Sequence, residues 1–559
     1  MPIDSFNENA SPSGFLQSAG AAIIRKKNAN YFLICAFTLC VAMEGWTSNG
    51  INVELMDISG NIGVSADEAS WIIGAYSAGS ALAIITSHNI CKILGERLYI
   101  IFAALLFAAS SAGCALSAAV EPLIAFRLLQ GLAAGAFMSR TLVLLVTHFH
   151  PSERGKPLRY YLLILFSIGR VGAPGLCGYL TDRFSWRGLF WVDVLGALIA
   201  TWFFCIAPRH EKLIPPPSRR KLHFDFIGVA LLTLGVLGIQ IVMSRGEIDN
   251  WFASPLIRAA FVLGIFGNGA FVAWQLSASN RHPLVEMRHA LTRQLFSVVL
   301  LGVFLGTLFS AIVYAFPYYL RTAESHSAFQ TGCLISVMGL PMFGLALIAP
   351  LYTRIVEKLG GRVILRIGLT LEIVSALIMI LVITSDTPDI YLLPALALSG
   401  LFIAVTAVGL AVAGFAGIQT RRISNARTIY FGARQLGNSI GISLGVILLD
   451  RRQAFHSQRL FESYFLNNRA AMASVHSLDR QAEIKTFGKL VLRQASILSY
   501  QDMFVAIAMV AVLTLICTQL LPGKRKWPRR RKPASTAQAL KKSPEGRQVH
   551  VETGQICTY

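Results

Sequence analysis

Fourteen long apolar stretches constrain the fold of this chain more than any other feature of its sequence. A helix needs about 20 mainly apolar residues to cross ~30 Å of hydrocarbon. Only helices and closed barrels satisfy their backbone polar groups in lipid, and these stretches lack the alternation of barrel strands. The sequence therefore predicts an all-α polytopic membrane protein. The predicted spans are 31–52, 69–90, 98–118, 123–147, 158–181, 187–207, 224–244, 256–276, 294–319, 331–353, 363–384, 390–416, 427–449 and 501–521.

Positive charge alternates along the predicted loops and orients the spans. With the N-terminus inside, the inner segments carry 33 Lys and Arg residues, whereas the short outer loops carry five. Cytoplasmic loops of membrane proteins are enriched in these residues, so we expect both termini in the cytoplasm and an even number of spans. The net charge of +21 thus reflects orientation in a lipid bilayer, and no nucleic-acid partner is expected.

A repeated inner-loop pattern divides the spans into blocks. Residues 88–97 (HNICKILGER) and 353–362 (TRIVEKLGGR) are similar, and each follows the second span of a six-span block if spans seven and eight are an insert. Repeated halves are typical of secondary transporters, so the predicted plan is 6+2+6. The predicted segments are an N-terminus at 1–30, a six-helix bundle at 31–207, a linker with two inserted helices at 208–293, a second bundle at 294–521 and a basic cytoplasmic tail at 522–559.

Two outer segments are expected to lie outside the membrane. Residues 53–68 are acidic and are predicted to form a loop that includes Glu54 and Asp57. Residues 450–500 are polar, and their spacing predicts short amphipathic helices near 452–466 and 479–498. The nine scattered Cys have no C-x-x-C pair, so no metal site is predicted.

Several motifs fall on matching spans. Span one contains MEGWTSNGIN, span four LIAFRLLQGLAAG, span five GAPGLCGYLTD and span thirteen ARQLGNSIG. In this ordered set the sequence resembles the EmrB/QacA-like, fourteen-span drug:proton antiporter family of the major facilitator superfamily. The first inner-loop motif departs from the family pattern, because the expected Gly and Asp fall at His88 and Lys92.

The resemblance implies a fold and a set of moving parts. It implies the major facilitator fold with fourteen helices, and a span-five interface between halves that moves during alternating access. That interface would include Gly172, Pro174, Gly175 and Gly178. The inner loops would help to gate the cytoplasmic face, through Gly95, Arg97, Glu357, Lys358 and Gly360.

Two charged residues inside predicted spans are the strongest candidates for proton coupling. Intramembrane charges are costly and usually functional. Glu44 occupies the position where the family usually has Asp, and helical spacing places it on one face with Thr47, Ser48 and Asn52. A carboxyl in apolar surroundings is suited to loading and releasing a proton. In the family, the residue corresponding to Arg127 is linked with proton transfer, and we expect it to act as an electrostatic switch on Glu44.

Further polar residues within spans are candidates for a substrate cavity. Arg140 lies thirteen residues after Arg127, too far around the helix to share its face, and Arg170 shares a side of span five with Pro174. A cavity rich in cations would favour an anionic or zwitterionic substrate, whereas the alternative roles are interfacial anchoring and helix packing. The candidate residues are Asn49, Asn52, Gln130, Arg140, Arg170, Asp193, Glu372 and Arg434.

These features together predict a secondary exporter of amphipathic organic compounds in a bacterial inner membrane. The sequence has no phosphate-binding loop, so we expect a proton gradient and no cofactor. In a Gram-negative host, the resemblance implies a periplasmic adaptor protein and an outer-membrane channel as partners. An uptake permease or metabolite carrier of the same fold remains an alternative. A membrane sensor or enzyme is a further alternative, although no catalytic residue set is evident and the chain is not predicted to be an enzyme.

Overall fold

The computed structural model describes residues 12–148, 161, 163–206, 224–280, 282–285, 292–384, 387–415, 420–467 and 479–521, and the described part contains helices and no strands. The first half comprises α1 (Pro12–Ile62), α2 (Ala66–Leu94), α3 (Glu96–Leu116), α4 (Val120–His148), α5 (Leu163–Arg183) and α6 (Arg187–Ile206). The inserted pair is α7 (Phe226–Arg245) and α8 (Pro255–Leu276). The second half comprises α9 (Arg293–Thr322), α10 (Ala328–Leu347), α11 (Ala349–Leu359), α12 (Gly361–Val382), α13 (Asp389–Gly414), α14 (Thr420–Asn467) and α15 (Asp479–Cys517).

The described helices agree with the predicted series of spans. Thirteen of them are long and apolar enough to cross a membrane. The remaining predicted span, 427–449, lies within α14 and packs against α2, α9 and α15. It is less apolar than the other spans because it carries Arg434, Gln435 and Asn438.

The predicted acidic outer loop at 53–68 is wrong for most of its length. Helix α1 continues to Ile62, so Glu54 and Asp57 lie on the helix. The chain turns at Gly63, which has a φ of 79°, and Ser65 then caps α2. Glu54 has no exposed surface, because its turn of α1 packs between neighbouring helices. Among these acidic residues Glu54 is buried, Asp57 is partly exposed and Glu68 is exposed in the first turn of α2.

The outer region 450–500 also differs from its prediction. The predicted helices at 452–466 and 479–498 are helical, but they are extensions of the membrane helices and not separate short elements. Helix α14 runs without a break to Asn467, and α15 begins at Asp479. Residues 468–478 lie outside the described part of the chain. Two membrane helices therefore continue past the predicted ends of their spans.

Two pairs of helices form the largest contacts between the two halves. Helix α2 packs against α14, and α5 packs against α10. The inserted helices α7 and α8 pack on each other, and α7 also contacts both α2 and α14. An apolar cluster fills this junction, with Leu82 from α2, Leu232 and Val236 from α7, and Leu436 from α14. The insert therefore contacts both halves at one of their interfaces.

The two similar inner loops have similar backbone geometry. Gly95 ends α2 with φ 80° and ψ 151°, and Gly360 ends α11 with φ 88° and ψ 146°. Only glycine adopts positive φ without a steric penalty. In both copies the glycine lets one helix end and the next begin immediately, at Glu96 and at Gly361.

Candidate functional site

Two arginines, one from each half, flank one aromatic ring, Phe309 of α9. The guanidinium carbon of Arg170 lies 4.7 Å from the centre of that ring, and that of Arg434 lies 5.3 Å from it. Cations are attracted to the face of an aromatic ring. The charges of both arginines act on Glu44. Glu44, both arginines and Phe309 are partly exposed. We call Glu44, Arg170, Phe309 and Arg434 the central cluster.

The shape of α5 brings Arg170 to this position. Residues Ser167–Gly172 form a π-helical turn immediately before Pro174, whose missing N–H prevents a regular hydrogen bond there. Arg170 donates a hydrogen bond to the Asn49 side-chain oxygen. The Asn49 amide in turn donates to the carbonyls of Gly45 at 2.6 Å and Gly169 at 2.8 Å. Asn49 therefore links α1 to α5.

A second polar cluster is fully buried within the first half. Gln130 is its centre: its Oε1 accepts a hydrogen bond from Arg127 Nη1 at 2.7 Å, and its Nε2 donates to Asp193 Oδ2 at 3.1 Å. Gln130 Nε2 also donates to Ser111 Oγ at 2.7 Å. Arg127, Gln130 and Asp193 have no exposed surface. We call Arg127, Gln130, Asp193, Ser111 and Thr47 the buried cluster.

Arg127 is held by several groups besides Gln130. Its Nε donates to the Ile72 carbonyl at 3.1 Å, and its guanidinium carbon lies 4.4 Å from the centre of the Tyr76 ring. Its Nη1 is also 3.5 Å from Thr47 Oγ1. Thr47 thus faces α4 and not the side of Glu44, although helical spacing placed both on one face. Ser48 and Asn52 are partly exposed, as Glu44 is.

The structure does not bring Glu44 and Arg127 together as a pair. Among the described residues Glu44 forms no ion pair, and the positive charges acting on it are those of Arg170 and Arg434. The acidic groups that act on Arg127 are Asp193 and Glu54. The two predicted coupling residues therefore belong to different clusters.

Glu54 extends the buried cluster towards the outer end of the first half. Its Oε1 accepts a hydrogen bond from Thr181 Oγ1 of α5 at 2.9 Å, and its Oε2 has no partner among the described residues. The acidic composition of 53–68 predicted a loop here, so Glu54 was not among the predicted site residues. The signal that would have found it is the uninterrupted apolar spacing of Ile51, Leu55 and Ile58 around it.

Two other predicted cavity residues have local partners. Arg140 of α4 forms a buried ion pair with Glu96, the first residue of α3. Glu372 of α12 is buried near Ser399 of α13, and its Oε2 has no partner among the described residues. Neither residue belongs to the central cluster.

The small-residue motif of α5 forms the contact between α5 and α10. A Cβ on Gly178 would collide with the backbone of Ala328 and Phe329, and a Cβ on Gly332 would collide with the Pro174 carbonyl. Gly175 faces α10 as well, whereas a Cβ on Gly172 would meet atoms of its own helix. Three of the four predicted interface residues therefore lie against the other half.

Polar contacts join the outer ends of the two halves. Asp57 of α1 forms an ion pair of 2.6 Å with Arg321 of α9. The Asp182 carboxylate at the end of α5 accepts hydrogen bonds from the backbone N–H groups of Ala328 and Phe329, at 3.1 and 2.9 Å. Asp182 therefore caps the first turn of α10 from the opposite half.

The predicted gating residues lie at the ends of inner helices. Arg97 donates to the carbonyls of Phe204 at 2.7 Å and Cys205 at 3.2 Å, and so connects α3 with the end of α6. Glu357 and Lys358 are exposed on α11. Their part in gating stays a prediction. No group of three or more potential metal ligands occurs in the described ranges.

Comparison with known proteins decides the family. A family model described as Major Facilitator Superfamily matches residues 35–446, most of the chain. The chain belongs to the Major Facilitator Superfamily. This facilitator is 26% identical to the probable multidrug resistance protein EmrY of Escherichia coli K12, over 76% of this chain and 81% of that protein. It is 22% identical to the fatty acid resistance protein FarB of Neisseria gonorrhoeae, over 84% of this chain and 91% of that protein.

Solved structures agree on the fold of this facilitator. A transporter of the POT family in complex with 5-aminolevulinic acid superposes with a TM-score of 0.59, at 12% identity, covering 88% of this chain and 96% of that one. The family and the shared fold identify the chain as a multi-pass membrane transporter. The drug:proton antiporter resemblance seen in the motifs is therefore confirmed at the level of the family and its multidrug relatives.

Proposed function

We propose that this chain is a proton-coupled exporter of amphipathic organic compounds in a bacterial inner membrane, with both termini in the cytoplasm. The observation that carries the proposal is the central cluster, in which Arg170 and Arg434 come from opposite halves and flank Phe309. Transporters with repeated halves bind substrates near the bilayer midplane at the junction of the halves. The multidrug resistance relatives support export as the direction.

The charges of the central cluster support an acidic substrate. Two guanidinium groups face one carboxylate, Glu44, and one aromatic ring. A guanidinium binds carboxylates through paired hydrogen bonds, and Phe309 offers an apolar surface beside them. An amphipathic molecule with a carboxylate group fits this arrangement. The name of the relative FarB, a fatty acid resistance protein, supports the same chemical class.

The long outer helices support a protein partner. Helices α14 and α15 continue past their predicted spans, to Asn467 and from Asp479. We propose that they provide the contact for a periplasmic adaptor protein, which would join the exporter to an outer-membrane channel. Co-purification with and without residues 452–498 tests the contact.

Everted membrane vesicles test the proposed direction and energy source. Respiration acidifies the interior of such vesicles, and an exporter then accumulates substrate while it releases protons to the outside. The experiment adds medium-chain fatty acids or acidic dyes and follows both substrate uptake and a pH-sensitive dye. Accumulation that collapses with the pH gradient supports export. Accumulation in right-side-out vesicles instead would indicate uptake, and binding without flux would indicate a sensor.

An arginine variant tests the proposed substrate charge. We expect Arg434→Gln to weaken binding of an acidic amphipath by roughly tenfold or more, since a charge-assisted hydrogen bond is worth about 1.5–3 kcal/mol. A neutral ester of the same compound is expected to bind almost as before. The matched control is Arg427→Gln, because Arg427 also lies over an aromatic ring, Phe415 at 5.8 Å, but is exposed.

A further inference from the structure

We infer that Asp193 takes up the coupling proton, and that Gln130 is a positioning residue that holds Arg127 away from it. The inference rests on the proposed proton coupling and locates the proton site in the buried cluster. It differs from the sequence prediction, in which Glu44 carries the proton. The proton site, Asp193, would then lie within the first half, whereas the substrate site, the central cluster, lies between the halves.

The hydrogen bonding of Asp193 is incomplete for a permanent carboxylate. The side chain has no exposed surface, and its Oδ2 accepts from Gln130 at 3.1 Å, while the Thr47 hydroxyl is a second donor to the carboxyl group. Its Oδ1 has no partner among the described residues, and neither does Arg127 Nη2. A buried carboxylate is stable only with a full set of hydrogen bonds or a direct ion pair. A protonated Asp193 meets this requirement with fewer partners.

Gln130 lies between Arg127 and Asp193, and its hydrogen bonds can break and re-form as Asp193 loses and gains a proton. Its carbonyl oxygen accepts from Arg127 at 2.7 Å, while its nitrogen donates to Ser111 at 2.7 Å and to Asp193. The amide therefore lies between the guanidinium and the carboxyl group. When Asp193 loses its proton, the free Arg127 Nη2 offers a direct partner to the free Oδ1. When Asp193 is protonated, Arg127 stays on Gln130.

The proton balance of the cycle is simple. The carboxylate of Asp193 and one proton from the outer side give the neutral acid, and the net charge of the Asp193–Arg127 pair changes from zero to plus one. Release of the proton to the cytoplasmic side restores the carboxylate. A change of one unit of charge in a water-poor interior favours a different packing of the helices around it. Protonation of Asp193 would favour one of the two conformations, open to the outside or open to the cytoplasm, and deprotonation would favour the other.

Ionisable groups face Asp193 from the helices packed around it. The polar neighbours without charge are Thr47, Ser111 and Gln130. The titratable neighbours are Glu54 of α1, Tyr76 of α2, Cys114 of α3, Arg127 of α4 and Cys177 of α5. Within this set Arg127 carries the positive charge and Glu54 is the second carboxyl. Glu54 has Thr181 as a hydrogen-bond donor, so it is partnered from α5 and not from Gln130.

Glu44 has the surroundings of a substrate contact. It is partly exposed, lies in the central cluster and is balanced by Arg170 and Arg434. A substrate entering between the halves reaches Glu44 directly, whereas Asp193 is shielded by α1 and α4. Tyr76 interacts electrostatically with both Glu44 and Asp193, and its hydroxyl has no hydrogen-bond partner among the described residues. Tyr76 therefore lies between the central cluster and the buried cluster, where a change of charge in either one affects it.

Reconstituted protein separates proton coupling from substrate movement. The full-length protein is placed in liposomes, and two quantities are measured for one acidic substrate: counterflow without a pH gradient, and accumulation driven by a pH gradient. We expect Asp193→Asn to keep counterflow and to lose gradient-driven accumulation. We expect Glu44→Gln to strengthen binding of the acidic substrate in both assays, because it removes a carboxylate that competes for Arg170 and Arg434, and to keep gradient-driven accumulation. Asp502→Asn is the matched control, because Asp502 lies within α15, outside both clusters, and pairs with Arg452 and His456 of α14; it is expected to behave as the wild type.

The conservative variant covers the case in which Asp193→Asn does not fold. Asp193→Glu keeps an ionisable group, and we expect it to retain gradient-driven accumulation with a shifted pH midpoint. Gln130→Leu is expected to shift that midpoint as well, without raising the substrate concentration needed for half-maximal counterflow. A merely structural role for Gln130 would leave the pH midpoint unchanged.

Several outcomes would overturn the inference. Gradient-driven accumulation by Asp193→Asn at the wild-type level is one. A wild-type pH midpoint in Asp193→Glu is another, and loss of coupling with normal counterflow in Glu44→Gln is a third. Failure of the proposed function has a different signature, because the wild-type protein itself would then show counterflow with no response to a pH gradient.

Discussion

Asp57 and Arg321 form an ion pair that joins the outer ends of the two halves, with 2.6 Å between the carboxylate oxygen and the guanidinium nitrogen. Both side chains are partly buried. The nearby contact of Asp182 with the first turn of α10 joins the same ends. In the predicted orientation these ends face the outside, and we expect that opening to the outside requires these contacts to break.

Removal of this pair is expected to favour the outward-open state. A partly exposed ion pair contributes up to about 1 kcal/mol, so Arg321→Gln is expected to shift the equilibrium by roughly fivefold. Spin-label distances between the outer ends of α1 and α9 measure the shift. Arg245→Gln is the control, because its partner Asp249 lies in the same inserted segment. Equal distance distributions in both variants would show that the pair does not control opening.

Gly178 and Gly172 provide a matched test of the α5–α10 contact. A methyl group at Gly178 would meet the Ala328 carbonyl and come within 2.9 Å of the Phe329 Cα, whereas one at Gly172 finds its nearest atom, the Ser167 oxygen, at 3.2 Å. We expect Gly178→Ala to cost about 1–3 kcal/mol of stability through overpacking. Thermal unfolding in detergent and transport rates measure the effect. Similar losses in Gly172→Ala would contradict the assignment.

The buried pair of Glu96 and Arg140 is expected to be structural. Loss of one partner from a buried pair costs about 3–5 kcal/mol, since the other charge is left unpaired. Glu96→Gln should therefore lower the unfolding temperature strongly, and the double variant with Arg140→Gln should recover part of the loss. Substrate affinity in the stable double variant is expected to match the wild type. A change of preference between acidic and neutral substrates would instead place Arg140 at the substrate site.

Asp225 connects the two inserted helices and gives a prediction about pH. Its carboxylate accepts hydrogen bonds from the Gly228 N–H and from Trp274, Gln275 and Asn280. Burial raises the pKa of Asp225, but these hydrogen bonds outweigh burial and hold the pKa below its ordinary value. A lowered pKa in the folded state stabilises the protein above the unfolded-state pKa, and this stabilisation is lost as pH falls through the folded pKa.

The Asp225→Asn variant is therefore expected to lose stability at neutral pH and not in acid. Loss of a helix cap costs about 0.5–2 kcal/mol. The difference in unfolding temperature between wild type and variant should narrow below about pH 4, where the unfolded-state carboxyl is protonated. Thermal unfolding in detergent at several pH values provides the measurement. A difference that stays constant down to pH 2 would mean that the charge of Asp225 is unimportant.

Most of the helices could be predicted from the sequence because membrane insertion is a local property of each segment. A run of apolar residues crosses the bilayer whatever its neighbours are, so the spans and the insert were recognisable before any contact was known. The ends of the helices were less predictable. Glu54 and the 450–500 region are polar, and polarity alone does not distinguish a loop from a helix whose polar groups find partners.

The partners of the buried charges could not be predicted from the sequence. Glu44 and Arg127 were identified singly as important, and the family pattern suggested that they act on each other. Their helices turn those side chains to different sides, Glu44 towards Arg170 and Arg434 and Arg127 towards Gln130 and Asp193. Helix rotation is set by close packing, for instance where Gly45 meets Gly169.

The sequence by itself determined that this chain crosses the membrane many times and that charges such as Glu44 and Arg127 lie within its spans, because hydropathy and residue spacing act within each helix. Only the tertiary structure decided that these charges form two separate clusters, and that Phe309 lies between arginines from opposite halves. The physical reason is that a buried charge is stabilised by whichever groups lie within a few ångströms of it, and these come from helices far apart in the chain.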